Sequence, residues 1–290
     1  MYKKAVKNNS KYLKPFVQGI KLYGSNEIQT NVGTMIVVNE DGVLLTCKHV
    51  AEEIYNTKIL SESYPNLLSI LSTMNEDEVK KFLEENHIND DTAVLSIINW
   101  MFQVKEGTNI QVILHPVLDL AIIKFEGKKF QLESYPVFSK KLPEQGQSVC
   151  KLGYAFPMIN IFEYDSKKQC IVFKKNGILE LPLFPMDGIV TRHINMEVDN
   201  NRYDNVCFET SSPGFRGQSG GPIFDPNGVI YGIQSVTSHM DLNFDINADV
   251  KRGNKIKKVS STPFINFGIG ISSIEIIKFL EENNIQFNVE

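Results

Sequence analysis

The stretch with the most chemical content is Gly214-Phe215-Arg216-Gly217-Gln218-Ser219-Gly220-Gly221-Pro222. Glycines on both sides of a serine leave its hydroxyl exposed on a tight turn and let a carbonyl group approach the backbone closely. The backbone amides of Gly217 and Ser219 could then face the charge that develops on an attacked oxygen, at about 3 kcal/mol per donor. A serine is a poor nucleophile at neutral pH unless a base takes its proton, and that base must itself be oriented by a carboxylate.

The chain offers five histidines as the base. His49 closes the apolar run Val43-Leu44-Leu45-Thr46-Cys47 and opens Val50-Ala51-Glu52-Glu53-Ile54, so it stands where a strand ends and a short helix begins, rigid enough to hold an imidazole. His87 falls in a helical stretch, His193 and His239 in polar, loop-like surroundings, and His115 beside Pro116 reads as a strand cap. Asp119, in Pro116-Val117-Leu118-Asp119-Leu120-Ala121-Ile122-Ile123-Lys124, is the acid embedded in a strongly apolar strand. A lone buried carboxylate costs several kcal/mol unless it is paired, and an imidazole would pair it. Gly217-Gln218-Ser219-Gly220-Gly221 also fits the G-x-S-x-G nucleophile elbow. That elbow needs its acid and its histidine after the serine, whereas only His239 follows Ser219.

Short strands must position these groups. Residues 32–38 and 43–46 are β-rich and joined by Asn39-Glu40-Asp41-Gly42, whose Asp-Gly step is a hairpin signal. Further strands are expected at 110–114, 118–125, 148–152, 170–173, 188–194, 206–209, 222–224, 229–234 and 267–271. Many short strands without alternating helices point to barrels or a sandwich. Two stretches break the pattern. Residues 64–102 read as helical, with Asn75 and Glu78 in the spacing of a capping box and 93–102 apolar nearly all round. Residues 162–185 read as protruding hairpins. Residues 272–284 carry Ile274, Ile276, Ile277, Phe279 and Leu280 at helical spacing, an amphipathic terminal helix.

Thr46-Cys47-Lys48-His49-Val50, Asp119-Leu120-Ala121-Ile122-Ile123-Lys124 and Gly217-Gln218-Ser219-Gly220-Gly221-Pro222 resemble the three motifs of trypsin-like serine proteases, in the order His, Asp, Ser. The match is closer to the HtrA/Deg-like bacterial branch. Gly33-Thr34-Met35-Ile36-Val37-Val38, Gly153-Tyr154-Ala155-Phe156-Pro157, Gly188-Ile189-Val190-Thr191, Gly232-Ile233-Gln234-Ser235 and Ile265-Asn266-Phe267-Gly268-Ile269-Gly270 support it in sequence order. The resemblance implies a mainly all-β protein of two antiparallel six-stranded β-barrels of chymotrypsin type, with His49, Asp119 and Ser219 in the cleft between them. Expected are an N-terminal extension over 1–30, a first barrel over 31–135 with a helical insert at about 60–104, a second barrel over 136–271, and a C-terminal helix and tail over 272–290. No PDZ domain is expected.

What the resemblance implies for function is endopeptidase activity on a protein or peptide substrate. Gln218 stands where digestive members carry the aspartate that captures a newly cut N-terminal amine, so activation by N-terminal cleavage is not expected. The 213–218 turn should instead switch between competent and collapsed states, with Arg216 and the 162–185 hairpins as controls and an activating protein partner or oligomer as a possible trigger. Pro213 stands where trypsin's acid binds a basic side chain. Ser235, Val236 and Thr237 should wall the substrate pocket, with Thr237 narrowing it to favour small or medium apolar residues before the scissile bond. The alternative is a catalytically silent or partner-activated module that keeps the fold.

Composition bounds these readings. The 290 residues are 42% hydrophobic and 22% charged, as in ordinary globular domains. The net charge of −4 leaves no basic excess for a phosphate backbone, so nucleic acid is not an expected partner. The basic start, Met1 to Lys11, lacks the apolar segment of a signal peptide, and no long apolar run could cross a membrane, so a cytoplasmic location is expected. Cys47, Cys150, Cys170 and Cys207 are scattered and read as free thiols. No metal or cofactor is expected, since no CxxC or HxxxH pair gives ligand spacing.

Overall fold

In the computed structural model, which describes residues 1–105, 107–199, 201–253 and 255–290, two sheets carry the architecture. A short helix α1 (Lys3–Asn9) leads into β1 (Leu13–Leu22), β2 (Ile28–Val37) and β3 (Val43–Thr46). Then follow α2 (Lys48–Ser72), α3 (Glu76–Glu85), β4 (Ala93–Trp100), β5 (Ile110–Leu114) and β6 (Ala121–Phe125). These six strands form one antiparallel sheet in the order β4-β1-β2-β3-β6-β5. The β2–β3 turn is the expected Asp-Gly hairpin: Gly42 takes φ +78°, and the Asn39 side chain accepts from the Asp41 amide.

The second half contains β7 (Val137–Phe138), β8 (Ser148–Gly153), β9 (Met158–Ile159), β10 (Phe162–Asp165), β11 (Cys170–Phe173) and β12 (Leu179–Glu180). It continues with β13 (Phe184–Val198), β14 (Asn201–Thr210), β15 (Pro222–Phe224), β16 (Ile230–Asp241), β17 (Ile246–Arg252), β18 (Lys255–Ser261) and β19 (Phe264–Ser272). The chain ends in α4 (Ser273–Glu282) and β20 (Asn288–Val289). The sheet order β15-β8-β13-β14-β19-β16 closes on itself through the β15–β16 pairing, giving a six-stranded barrel to which β7 and β20 are added beside β16. The first sheet stays open: among the described residues no pairing joins β4 to β5. Closure removes the edge only where β15 meets β16, from Ile230 to Ile233, and α2 covers part of the first sheet.

Three expectations are corrected. Residues 13–22 are no extension: β1 lies between β4 and β2, with Phe16 and Val17 buried and Gln18 satisfied by Glu53, Thr57 and Ser96. The helical insert does not run over 60–104. Helix begins at Lys48, and 93–100 is the strand β4, paired with β1 from Phe16↔Trp100 to Leu22↔Ala93. Val94 and Leu95 pack against Tyr64 of α2, while Ile98 and Trp100 join the main core. A strand covered on both faces reads as a continuous apolar run, which periodicity alone cannot tell from a buried helix. The 162–185 region does not simply protrude, since Ile161, Phe162 and Ile171 are buried in that same satellite cluster.

The capping box of α3 forms as read, with the Asn75 side chain accepting from the Glu78 amide and Glu78 from that of Asn75. In α4, Ile276, Ile277, Phe279 and Leu280 are buried. All four cysteines are free. Among the described residues no helix is long and apolar enough to cross a membrane.

Candidate active site

The first contributor is the junction of β3 and α2. The fully buried strand β3 ends at Thr46, Cys47 serves as the extended residue before the helix, and His49 falls in the first turn of α2. Burial of Val50 and Ala51 fixes the helix on the sheet and leaves the His49 ring exposed. The helix is far longer than the short one expected.

Asp119 does not lie in a strand. It sits in the turn between β5 and β6, just before Ala121. His115 shapes that turn: its ring Nδ1 accepts from the amides of Val117 (3.1 Å) and Leu118 (2.9 Å), and its own amide donates to Leu120 O. Burial lowers the His115 pKa, which keeps the ring in the neutral form that can accept. The turn brings the Asp119 carboxylate to the His49 ring, with Nδ1 3.0 Å from Oδ1 and 2.9 Å from Oδ2. The His49 amide also donates to Oδ1 (3.0 Å), and the Ser235 hydroxyl to Oδ2 (2.5 Å).

These contacts set the protonation states. Burial alone would raise the Asp119 carboxyl, but the hydrogen bonds from the His49 ring, the Ser235 hydroxyl and the His49 amide outweigh it and hold the pKa below the ordinary value. The hydrogen bond to Asp119 raises the His49 pKa, against a smaller lowering by burial. Cys47, His49 and Asp119 present possible ligand atoms within 4.8 Å of one another. Burial pushes the Cys47 pKa well up, so the thiol stays protonated, and it donates to Gln234 O (3.2 Å). A protonated thiol is a poor metal ligand.

Ser219 lies on the loop between β14 and β15, in the same cleft as His49 and Asp119. Its hydroxyl donates to Ser235 O at 3.3 Å. The loop is held from several sides. Gly217 takes φ +95° and Gly220 φ +84°, values that favour glycine, and a side chain at Gly217 would collide with Tyr154 O. From β2, the Thr34 hydroxyl donates to Gly217 O (2.7 Å) and the Thr34 amide to Ser219 O (2.8 Å). Fully buried Gln218 accepts from the Phe215 amide (2.9 Å) and donates to Phe184 O (3.0 Å). Among the described residues the amides of Gly217 and Ser219 have no acceptor.

At the start of the loop, the buried Lys151 Nζ donates to Ser212 O (2.5 Å), Pro213 O (2.8 Å) and the Thr210 hydroxyl (3.1 Å). Burial pushes its pKa down to about 7. His115, expected as a strand cap, does close β5 and shape the turn that carries Asp119. Sequence reasoning missed Thr34 and Lys151 as supports of the site. Thr34 lies inside a quoted motif, but nothing local to either residue marks the role.

A sequence model of the trypsin-like peptidase domain matches residues 33–233. The chain belongs to the trypsin-like peptidase family. A search of curated proteins finds no match. Among solved structures, the peptidase is similar to the HtrA-type protease AlgW, a serine-to-alanine variant with a decapeptide, at 14% identity, TM-score 0.50, covering 98% of this chain and 68% of that one. It is also similar to the active form of the Rv3671c protease from M. tuberculosis, at 13% identity, TM-score 0.48, covering 99% and 86%. At 14% identity the likeness to AlgW concerns the fold alone.

In this peptidase the residues expected to wall the substrate pocket, Pro213, Ser235, Val236 and Thr237, line the cleft of about 730 Å³ that holds His49, Asp119 and Ser219. Gly214, Phe215, Arg216, Gln234, His239 and Asn266 join them. Thr237 is tied to Gly214, another lining residue: its hydroxyl accepts from the Gly214 amide (3.0 Å) and donates to Gly214 O (2.8 Å). Arg216 lies exposed at the rim and reaches Asn31 Oδ1 (2.5 Å) on β2.

Proposed function

We propose that the protein is a serine endopeptidase that cleaves protein or peptide substrates through an acyl-enzyme intermediate. Ser219 is the nucleophile, His49 the general base and then general acid, and Asp119 the group that fixes the imidazole. One observation carries this reading: the imidazole is held at 2.9 Å by a carboxylate that accepts from three donor groups, and it opens onto the same cleft as the Gly-flanked serine.

With its Nδ1–H given to Asp119, the ring presents Nε2 to the cleft as the acceptor of the serine proton. Attack by the Ser219 oxygen moves the carbonyl electrons onto oxygen, where the unpaired Gly217 and Ser219 amides receive them. His49 returns the proton to the leaving amine, and water repeats the sequence on the ester. In the resting protein the Ser219 hydroxyl is engaged with Ser235 O. A substrate N–H taking over that carbonyl would free the hydroxyl for His49.

The Thr237 bridge to Gly214 supports a preference for small or medium apolar residues before the scissile bond, because it shortens the pocket. The test is labelling of the purified protein with a fluorophosphonate probe beside Ser219→Ala. Labelling of the wild type alone is expected. Absence of labelling in both would overturn the reading in favour of a silent module.

A further inference from the structure

One end of the cleft carries an arm. Strands β16 and β19 pair as far as Asp241↔Phe264, and the chain between them forms β17 and β18, a two-stranded sheet of its own with seven residue pairs from Ile246↔Ser261 to Arg252↔Lys255. At about 3.3 Å per residue this ladder spans about 20 Å. Its root is tied by the Leu242 amide, which donates to Pro263 O (2.9 Å), and by the Thr262 hydroxyl, which donates to Asp245 Oδ1 (2.8 Å). Every described side chain from 239 to 262 is exposed, and none of the three core clusters includes a residue of β17 or β18. A lone two-stranded ribbon is at best marginally stable, so this one is a surface without a partner.

The composition of the arm says what that partner is. Residues 246–261 set Asp249 against Lys251, Arg252, Lys255, Lys257 and Lys258, a net +4 in a chain of net −4, so the rest of the molecule stands at −8. Across the ladder Asp249 faces Lys258, whereas Lys251 lies opposite Ile256 and Lys257 opposite Val250. The cationic excess is not compensated within the arm. Nearer the cleft the root is apolar: Phe244 and Phe264 are 54% exposed and Ile246 51%. Paired residues share a face, so Phe264 stands on the face of β16 and β19 that presents His239 and Asn266 to the cleft, and its ring meets that of His239 at 5.3 Å. From the cleft outward the order is apolar, then basic.

We propose that the arm is a docking site, outside the cleft, for an acidic segment of the protein substrate. Apolar residues of that segment lie against Phe264, Phe244 and Ile246, and its carboxylates lie against Lys251, Lys257 and Lys258. The proposal rests on the peptidase reading and names the substrate class of that site. Charge complementarity carries it: an acidic chain is drawn to the one cationic projection of an otherwise anionic molecule, beside the cleft that holds Ser219. An anionic bilayer fits the arrangement less well. It would meet the basic end of the ladder first, and the apolar root could reach hydrocarbon only by bringing a body of charge −8 against a surface of like sign.

The test uses quenched peptides that share one cleavable apolar core and carry a block of glutamates, glutamines or lysines, joined by a Gly-Ser spacer at one end or the other. At one of the two ends glutamate should raise kcat/KM at least tenfold over glutamine, through KM. The gain should vanish in 1 M salt, where the Debye length is about 3 Å. In the variant Lys251→Glu/Lys257→Glu/Lys258→Glu the gain should pass from the glutamate block to the lysine block, a swap that misfolding cannot produce. Equal rates for glutamate and glutamine, or a glutamate gain that survives the charge reversal, would overturn the proposal. Sedimentation with phosphatidylserine vesicles that depends on the three lysines, beside equal peptide rates, would overturn it in favour of a lipid surface. Fluorescein-labelled peptides bound to Ser219→Ala and read by anisotropy give the comparison without turnover. Glutamate-dependent binding with no fluorophosphonate labelling of the wild type would retain the arm and refute the peptidase. Labelling with charge-independent binding would do the reverse.

Discussion

Gln218 offers the sharpest test of how the serine loop is held. Its amide bridges the Phe215 amide and Phe184 O, and the residue is fully buried. Gln218→Ala leaves one N–H and one carbonyl unmatched, each at about 1–3 kcal/mol, so unfolding free energy should fall by about 2–6 kcal/mol. The activity loss is a separate quantity. The tether spans the turn that presents the Gly217 amide, and loss of one oxyanion donor lowers kcat by about 100- to 1,000-fold. The second-order rate of fluorophosphonate labelling reads this without a known substrate, and urea titration reads the stability. Gln218→Glu should keep the acceptor for Phe215 but set a buried carboxylate against Phe184 O, so it should lose at least as much stability. A Gln218→Ala protein destabilised as calculated but labelled within about threefold of wild type would show that the tether is structural only, and the reasoning would fail.

Other expectations follow from the same contacts. His49 must be neutral to accept a proton, and Asp119 raises its pKa, so labelling should rise with pH through a limb above 6.5 and be lost below it; Asp119→Asn should lower the labelling rate at pH 8 by about 10⁴-fold. Ser235→Ala removes a donor to Asp119 Oδ2 and should cost about tenfold in the labelling rate with little change in thermal midpoint. Thr34→Val keeps the shape of a buried residue but leaves Gly217 O and the Tyr154 amide unmatched, and should lower stability by about 2–4 kcal/mol in urea titration. Thr237→Gly removes the bridge to Gly214, and a peptide-library profile should shift toward larger residues before the scissile bond.

The residues of the candidate site were legible because each carries a local signature. Ser219 has glycines that a tight turn requires, His49 marks the change from apolar strand to helix, and Asp119 is an acid among apolar neighbours. Two of their supports were not legible, because they act across long sequence separations: Thr34 meets Gly217 at 183 residues' distance, and Lys151 meets Ser212 at 61. A threonine in a strand and a lysine between apolar residues look like ordinary alternation until the fold brings them to a loop. The strand β4 was misread for a different reason: cover on both faces erased the period of two that separates strand from helix.

The interval of 70 residues between His49 and Asp119 shows how extra chain can be accommodated beside a constrained site. Closure entropy grows only slowly with loop length, so the insertion costs little if its ends stay fixed. Here the surplus is also anchored. It leaves through α2, whose first turn carries His49, and returns as β4 along β1. Within it, the Tyr64 hydroxyl meets that of Tyr164 on β10 at 2.8 Å, and Val94, Leu95 and Ile171 pack around the pair. The helix that holds the imidazole is therefore braced against a hairpin of the second half, the half that carries Ser219. Tyr64→Ala should destabilise the protein by about 3–5 kcal/mol through the cavity it leaves. If α2 acts as a brace, the same change should also slow fluorophosphonate labelling at a temperature where the protein is folded. An unchanged labelling rate would show instead that the first turn of α2 is fixed locally, by Val50, Ala51 and the bond from the His49 amide to Asp119.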